Sequence, residues 1–177
     1  LPIGVGRHSM ETWMHPTLFH MDKQAGAPPD AFAVKGQNWE FPTYNWEEMG
    51  KNNYAWWRQR MEHMSNYFDA IRIDHILGFF RIWSIPHKDI EGILGTFVPS
   101  LPLGIHDFEA MGIYFEKDRF CNPFISEDTL RKFFPGNEAW VKENILSNYQ
   151  FKSSFNSQQK IAAYFKKNPE KAFLQQG

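Results

Sequence analysis

The chain has 177 residues, enough for one sizeable hydrophobic core, and length alone argues for a single unit. Its 19 Lys and Arg against 20 Asp and Glu leave a net charge of −1 and a pI near 6.7. So balanced a chain offers no basic field to nucleic acid or to an anionic membrane, and neither is an expected partner.

No apolar run nears the roughly 18 residues of a membrane span, and no signal-peptide pattern opens the chain. The lone Cys121 excludes an internal disulfide framework and fits a reducing, cytoplasmic setting. Aromatic residues make up 17% of the chain, seven of them Trp, beside a mean hydropathy of −0.52. Rings among polar groups suit surfaces that stack on planar or sugar-like ligands, while a core built of large residues accounts for most of the Trp.

Leu1-Pro2-Ile3-Gly4-Val5-Gly6 reads as the end of a short strand entering a loop, an opening expected of a piece of something longer. Arg7, His8 and Ser9 follow as polar loop residues. The spacing of His8, His15 and His20 matches no compact metal motif, so no metal is expected. Residues 22–46 form a long loop in which repeated Gly and Pro forbid regular elements. A loop of that length in a compact domain is usually a lid or a binding loop. Asp30, Gln37, Asn38 and Trp39 give it acceptors, donors and a stacking plane, the inventory of a sugar site, with a plain surface connection as the alternative.

Asn45 with Glu48 marks a helix start. Tyr54, Trp57, Met61, Met64 and Phe68 then recur at helical spacing, the core stripe of a helix packed on a sheet. That helix leads into Asp69-Ala70-Ile71-Arg72-Ile73-Asp74-His75-Ile76, an apolar run with Arg, Asp and His at its centre. Read as a strand, its period of two sends Ile71 and Ile73 to one face and Arg72 and Asp74 to the other. Charges within a run that wants burial are costly unless paired or used. A structural Arg72–Asp74 pair, with Asp74 also capping a following turn, is one reading; a functional site at a strand exit marked by His75 and Gly78 is the other.

Beyond Pro86 periodicity weakens through residue 122. Short helices are then expected after Ser126, Asn137, Ser157 and Asn168-Pro169, with Val141, Ile145 and Tyr149 four apart on the second of them. The expected organisation is a segment 1–86 carrying the loop and the charged strand, followed by a mainly helical subdomain 87–177 of the same domain.

Ala70-Ile71-Arg72-Ile73-Asp74-His75-Ile76-Leu77-Gly78-Phe79-Phe80 resembles the nucleophile strand of the 4-alpha-glucanotransferases of glycoside hydrolase family 77, the amylomaltases and disproportionating enzymes. Leu1 to Val5, Ser9 to Trp13, Gly26-Ala27-Pro28-Pro29-Asp30, Gly36-Gln37-Asn38-Trp39 and Pro42-Thr43-Tyr44-Asn45-Trp46 are similar to that family in the same order, most of all to its cytosolic plant type. The resemblance implies an α/β fold, a partial (β/α)8 TIM-barrel slice, and transfer of glucosyl units between α-1,4-glucans with retention. It implies Asp74 as nucleophile, Arg72 as the cation that orients and ionises it, and His75, Asp30, Gln37 and Trp39 as glucan contacts, with no cofactor.

Two positions depart from the family pattern: Ala31 stands where Tyr is common, and Glu40 where Gly is usual, which is expected to alter the loop's turn. The family's acid/base Glu and stabilising Asp match no motif here, and Glu116, Glu127 and Glu138 lack the surrounding pattern. The chain by itself is therefore expected to be inactive, with self-association through open barrel edges. A noncatalytic glucan-binding or structural fragment, or a hydrolase of the α-amylase clan, are the other readings.

Overall fold

The computed structural model describes residues 3–176; Leu1 and Pro2, the head of the opening motif, and Gly177 lie outside the described residues. The chain divides into two compact units, Leu1–Ser100 and Leu101–Gly177. Residues 87–100 thus join the first unit, where β6 (Thr96–Val98) pairs with β5 (Ile82–Pro86).

In the first unit, α1 (Met10–Met14) starts at Ser9, whose hydroxyl accepts from the Thr12 amide. The two-residue strands β1 (Phe19–His20) and β4 (Thr43–Tyr44) pair, setting Phe19 opposite Tyr44. A four-stranded sheet runs in the order β3 (Gln37–Asn38), β2 (Lys23–Ala27), β5, β6. Two of its elements were not foreseen: β2 and β3 lie inside the stretch 22–46, read as irregular. Gly26 permits their pairing, since a Cβ there would stand 2.1 Å from the Gln37 carbonyl oxygen. Buried Gln24 is satisfied, its side-chain amide donating to the Asp89 carbonyl at 2.6 Å.

Every strand pair among the described residues is antiparallel. The unit is therefore a mixed helix-and-sheet fold whose described strands do not include the parallel ladder of a barrel.

The expected helix after Asn45 is two helices. Asn45 does cap α2 (Trp46–Gly50), accepting from the Glu48 amide at 3.2 Å. The chain then turns, with Asn53 and Tyr54 both left-handed at φ 55°, before α3 (Ala55–Ser65). Periodicity runs through such a break because it records side-chain spacing and not backbone continuity. Of the stripe, Trp57 is buried and Met61 packs beside it, whereas Tyr54 and Phe68 are exposed.

The strand expected over 69–76 does not form. The backbone is irregular to Ile73, turns at Asp74 and His75, and closes into a 3-10 turn, Ile76–Phe79. A strand exists only by pairing, and no described strand pairs with this segment. The alternation survives in the burial: Ile71 and Ile73 are half-buried, Arg72 and Asp74 exposed.

The 3-10 turn is held by rings. Phe79 meets Trp57 at 5.1 Å, Trp46 at 5.6 Å and Tyr44 at 6.3 Å between centroids. Tyr44 is the hub of the cluster, touching Phe19, Trp46, Trp56 and Trp57 as well. Each such pair adds about 0.5–1.5 kcal/mol beyond the area it buries.

In the second unit, α4 (Ile105–Ala110) and α5 (Lys117–Cys121) are followed by α6 (Glu127–Phe133), capped by Ser126. Then come α7 (Glu138–Asn144), the hairpin β7 (Leu146–Ser147) and β8 (Gln150–Phe151), and α8 (Gln158–Lys167), capped by Ser157. Leu130, Val141, Ile145, Leu146 and Phe165 make its core. Tyr149 leaves the expected helical stripe: with Asn148 it forms the hairpin's left-handed turn. After Asn168-Pro169 the chain is a 3-10 helix, Pro169–Gln176, not an α-helix.

Burial pushes the Tyr44 phenol up to about 12 from its ordinary 10. The folded chain keeps this proton where the unfolded chain has lost it, so the stability it carries is intact below pH 10 and is lost as pH rises towards 12. The loss expected over that window is about 2–3 kcal/mol. Denaturant midpoints measured across it should fall for the native chain and fall less steeply for Tyr44→Phe.

Candidate functional site

The end of β3 and the turn after α3 meet at Trp39 and His75. Trp39 is anchored by its backbone amide, which donates to the Ala25 carbonyl at 2.9 Å. Its indole stacks on Phe41 with centroids 5.8 Å apart and meets the His75 imidazole edge-on at 5.3 Å. Gln37 joins them, its side-chain oxygen accepting from the indole N–H at 3.1 Å. An indole face, an imidazole and a carboxamide therefore lie together, half-buried to exposed. Such a set can stack on a pyranose and hydrogen-bond its hydroxyls.

Asp74 precedes His75 in the same turn and is exposed. His75 takes a left-handed backbone, φ 48° and ψ 50°, and its carbonyl accepts from the Gly78 amide at 2.8 Å. Gly78 is required by space: a Cβ there would stand 2.6 Å from the His75 ring and 3.0 Å from Ile3 Cδ1. Gly4 plays the same part under Phe41, whose ring would lie 2.2 Å from an added Cβ. The opening motif thus underpins the platform, a link its own residues did not suggest.

Of the six residues singled out in the sequence, Gln37, Trp39 and His75 are in contact, with Asp74 beside His75 in the chain. Arg72 lies two residues earlier, exposed like Asp74. Asp30 is engaged within its own loop: one carboxylate oxygen accepts from the Phe32 and Ala33 amides at 2.8 and 2.6 Å. It holds the shape of the Pro28–Gly36 connection, as Asp does in a turn.

Glu127 stands apart from an acid's requirements. Hydrogen bonds from Lys142 and then from the Tyr149 hydroxyl hold its carboxyl below the usual range, whereas a general acid needs one raised. Among the described residues no group of three or more His, Cys, Asp or Glu is placed to hold a metal ion. None of the described helices is long and apolar enough to cross a membrane. An open concavity of about 430 Å³ is lined by His15, Trp56, Gln59, Arg60, His63 and Met64, none of them among the singled-out residues.

Glu40, where the family pattern has Gly, keeps the left-handed conformation that glycine favours, φ 65°, and its amide donates to Asn38 Oδ1 at 2.9 Å. Holding a non-glycine residue in that conformation costs about 1 kcal/mol. Glu40→Gly is expected to raise the stability of the first unit by up to about that amount, read as a shift in urea midpoint; an unchanged or lower midpoint would show that the strain is relieved elsewhere.

A model of the 4-alpha-glucanotransferase family matches residues 1–176. The 4-alpha-glucanotransferase DPE2 of Oryza sativa subsp. japonica is 47% identical over 97% of the chain, which covers 19% of that protein. The chloroplastic/amyloplastic 4-alpha-glucanotransferase of Solanum tuberosum is 36% identical over 63% of the chain and 21% of that protein. The chain thus spans about a fifth of the length of these curated relatives. In structure, an amylomaltase from Streptococcus agalactiae in complex with acarbose superposes on 74% of the chain and 28% of that protein, with a TM-score of 0.54 and 29% identity.

Proposed function

The chain belongs to the 4-alpha-glucanotransferase family, glycoside hydrolase family 77, and from that membership we propose that it is the nucleophile-bearing part of an enzyme transferring glucosyl units between α-1,4-glucans. The observation that carries this reading is the meeting of Trp39, Gln37 and His75 next to Asp74 in a chain that matches the family from end to end.

In the proposed reaction the donor glucan stacks on Trp39, and Gln37 and His75 hydrogen-bond its hydroxyls. Asp74 attacks the anomeric carbon, forming a glucosyl ester as the glycosidic bond breaks and the leaving oxygen takes a proton from an acid. The 4-hydroxyl of an acceptor glucan then attacks the same carbon and returns its proton, so configuration is retained. Arg72, two residues from Asp74, is the cation that orients the carboxylate in this reading. Asp30 contributes by shaping the loop. In this reading the whole protein completes the parallel barrel, of which the chain contributes one slice, and works in the cytoplasm without a cofactor.

Retention by this route needs a second carboxylic acid about 5 Å from the nucleophile. None of the chain's motifs supplies that group, so the 177-residue chain is expected to bind glucan without turning it over. In the full-length protein, Asp74→Asn is expected to lower glucose release from maltose plus glycogen by at least about 10³-fold. Release within about tenfold of the native rate would refute the assignment. Products that gain reducing ends from water instead of lengthened glucans would identify a hydrolase.

A further inference from the structure

We propose that the turn formed by residues 90–95 positions the glucan-binding loop, with Gly92 as its positioning residue; this rests on the reading of Gln37 and Trp39 as glucan contacts. The connection between β2 and β3, residues 28–36, is mostly exposed, and the Asp30 hydrogen bonds fold it locally without fixing where it rejoins the sheet. Where it re-enters the sheet it is fastened to the turn. The Lys35 carbonyl accepts from the Ile93 amide at 2.7 Å, and the Lys35 ammonium donates to Glu91 Oε1 at 2.6 Å. The Asn38 side chain donates to the Ile90 carbonyl at 2.9 Å.

Between these ties the two backbones touch. A Cβ on Gly92 would stand 2.5 Å from the Gln37 nitrogen, 2.7 Å from the Gly36 carbonyl carbon and 2.9 Å from the Gln37 oxygen. All three are main-chain atoms that cannot swing aside, so a side chain at 92 must displace the start of β3. Gly36 answers from the other side, left-handed at φ 69°, where a Cβ would lie 3.0 Å from the Gly92 carbonyl carbon.

The turn itself is fixed to the sheet. Trp83 on β5 donates its indole N–H to the Gly92 carbonyl at 2.7 Å, and an added Cβ on Gly95 would lie 2.2 Å from that nitrogen. Trp83 stands opposite Gly26 in the β2–β5 ladder. From the sheet centre a rigid path therefore runs through Trp83 and Gly92 to Gln37, and two residues later to Trp39 on His75. Fixing the loop in advance removes an ordering cost from glucan binding, so the effect belongs in KM and not in the chemical step.

The test is steady-state kinetics of glucosyl transfer in the full-length protein. Gly92→Ala is expected to raise KM for glucan about tenfold with kcat within about twofold, and to add little in a Trp39→Ala background, because both act on one contact. Should Gly92→Ala fail to fold, Glu91→Lys is expected to raise KM about two- to threefold, and the exchanged pair Lys35→Glu with Glu91→Lys to restore it. An unchanged KM in a folded Gly92→Ala protein, or effects of Gly92→Ala and Trp39→Ala that simply multiply, would overturn the inference. A folded Trp39→Ala protein with native kcat/KM would instead overturn the glucan reading of the loop, and this inference with it.

Discussion

The Asp74–His75 turn depends on where Phe79 goes. The turn has no sheet ladder of its own and sits on exposed, irregular backbone. It is held because the 3-10 turn that follows ends on a ring inserted among Tyr44, Trp46 and Trp57. Those rings come from β4, α2 and α3, so one apolar cluster ties three elements to the segment that carries the carboxylate. Directionless burial supplies the energy, and the edge-on and tilted ring geometry supplies the orientation.

A second set of constraints acts through missing side chains. Gly4 makes room for Phe41, and Gly78 makes room for the His75 ring. Gly26 lets β2 and β3 approach. Each lies in a different stretch of sequence, and together they let backbone and ring approach where Trp39 meets His75. A glycine of this kind does its work by what it leaves empty, which explains why the motifs that resemble the family are spread over much of the first unit while the candidate site itself is small.

Local signals in the sequence translated well where one residue speaks for itself. Asn45, Ser126 and Ser157 each cap the helix they announced, because a cap is a contact between near neighbours. The alternation of Ile71 and Ile73 with Arg72 and Asp74 appears as alternating burial. What stayed hidden is what depends on distant partners or on backbone sign. No pattern distinguishes an extended run that finds a ladder from one that does not, and the helical stripe gave no warning of left-handed Asn53 and Tyr54. The Gly92 contact with Gln37 joins segments about fifty residues apart through main-chain atoms, so no side-chain pattern could mark it.

Asp74 becoming covalently glucosylated is the step on which the enzymatic reading turns. Mass spectrometry of peptides from the acid-quenched full-length protein, incubated with a slow-turnover fluorinated glucosyl donor, reads that step directly. The expected result is a single hexosyl ester on the peptide containing Asp74, discharged when acceptor glucan is added. An ester on a different carboxylate, or ongoing transfer with Asp74 never modified, would contradict it.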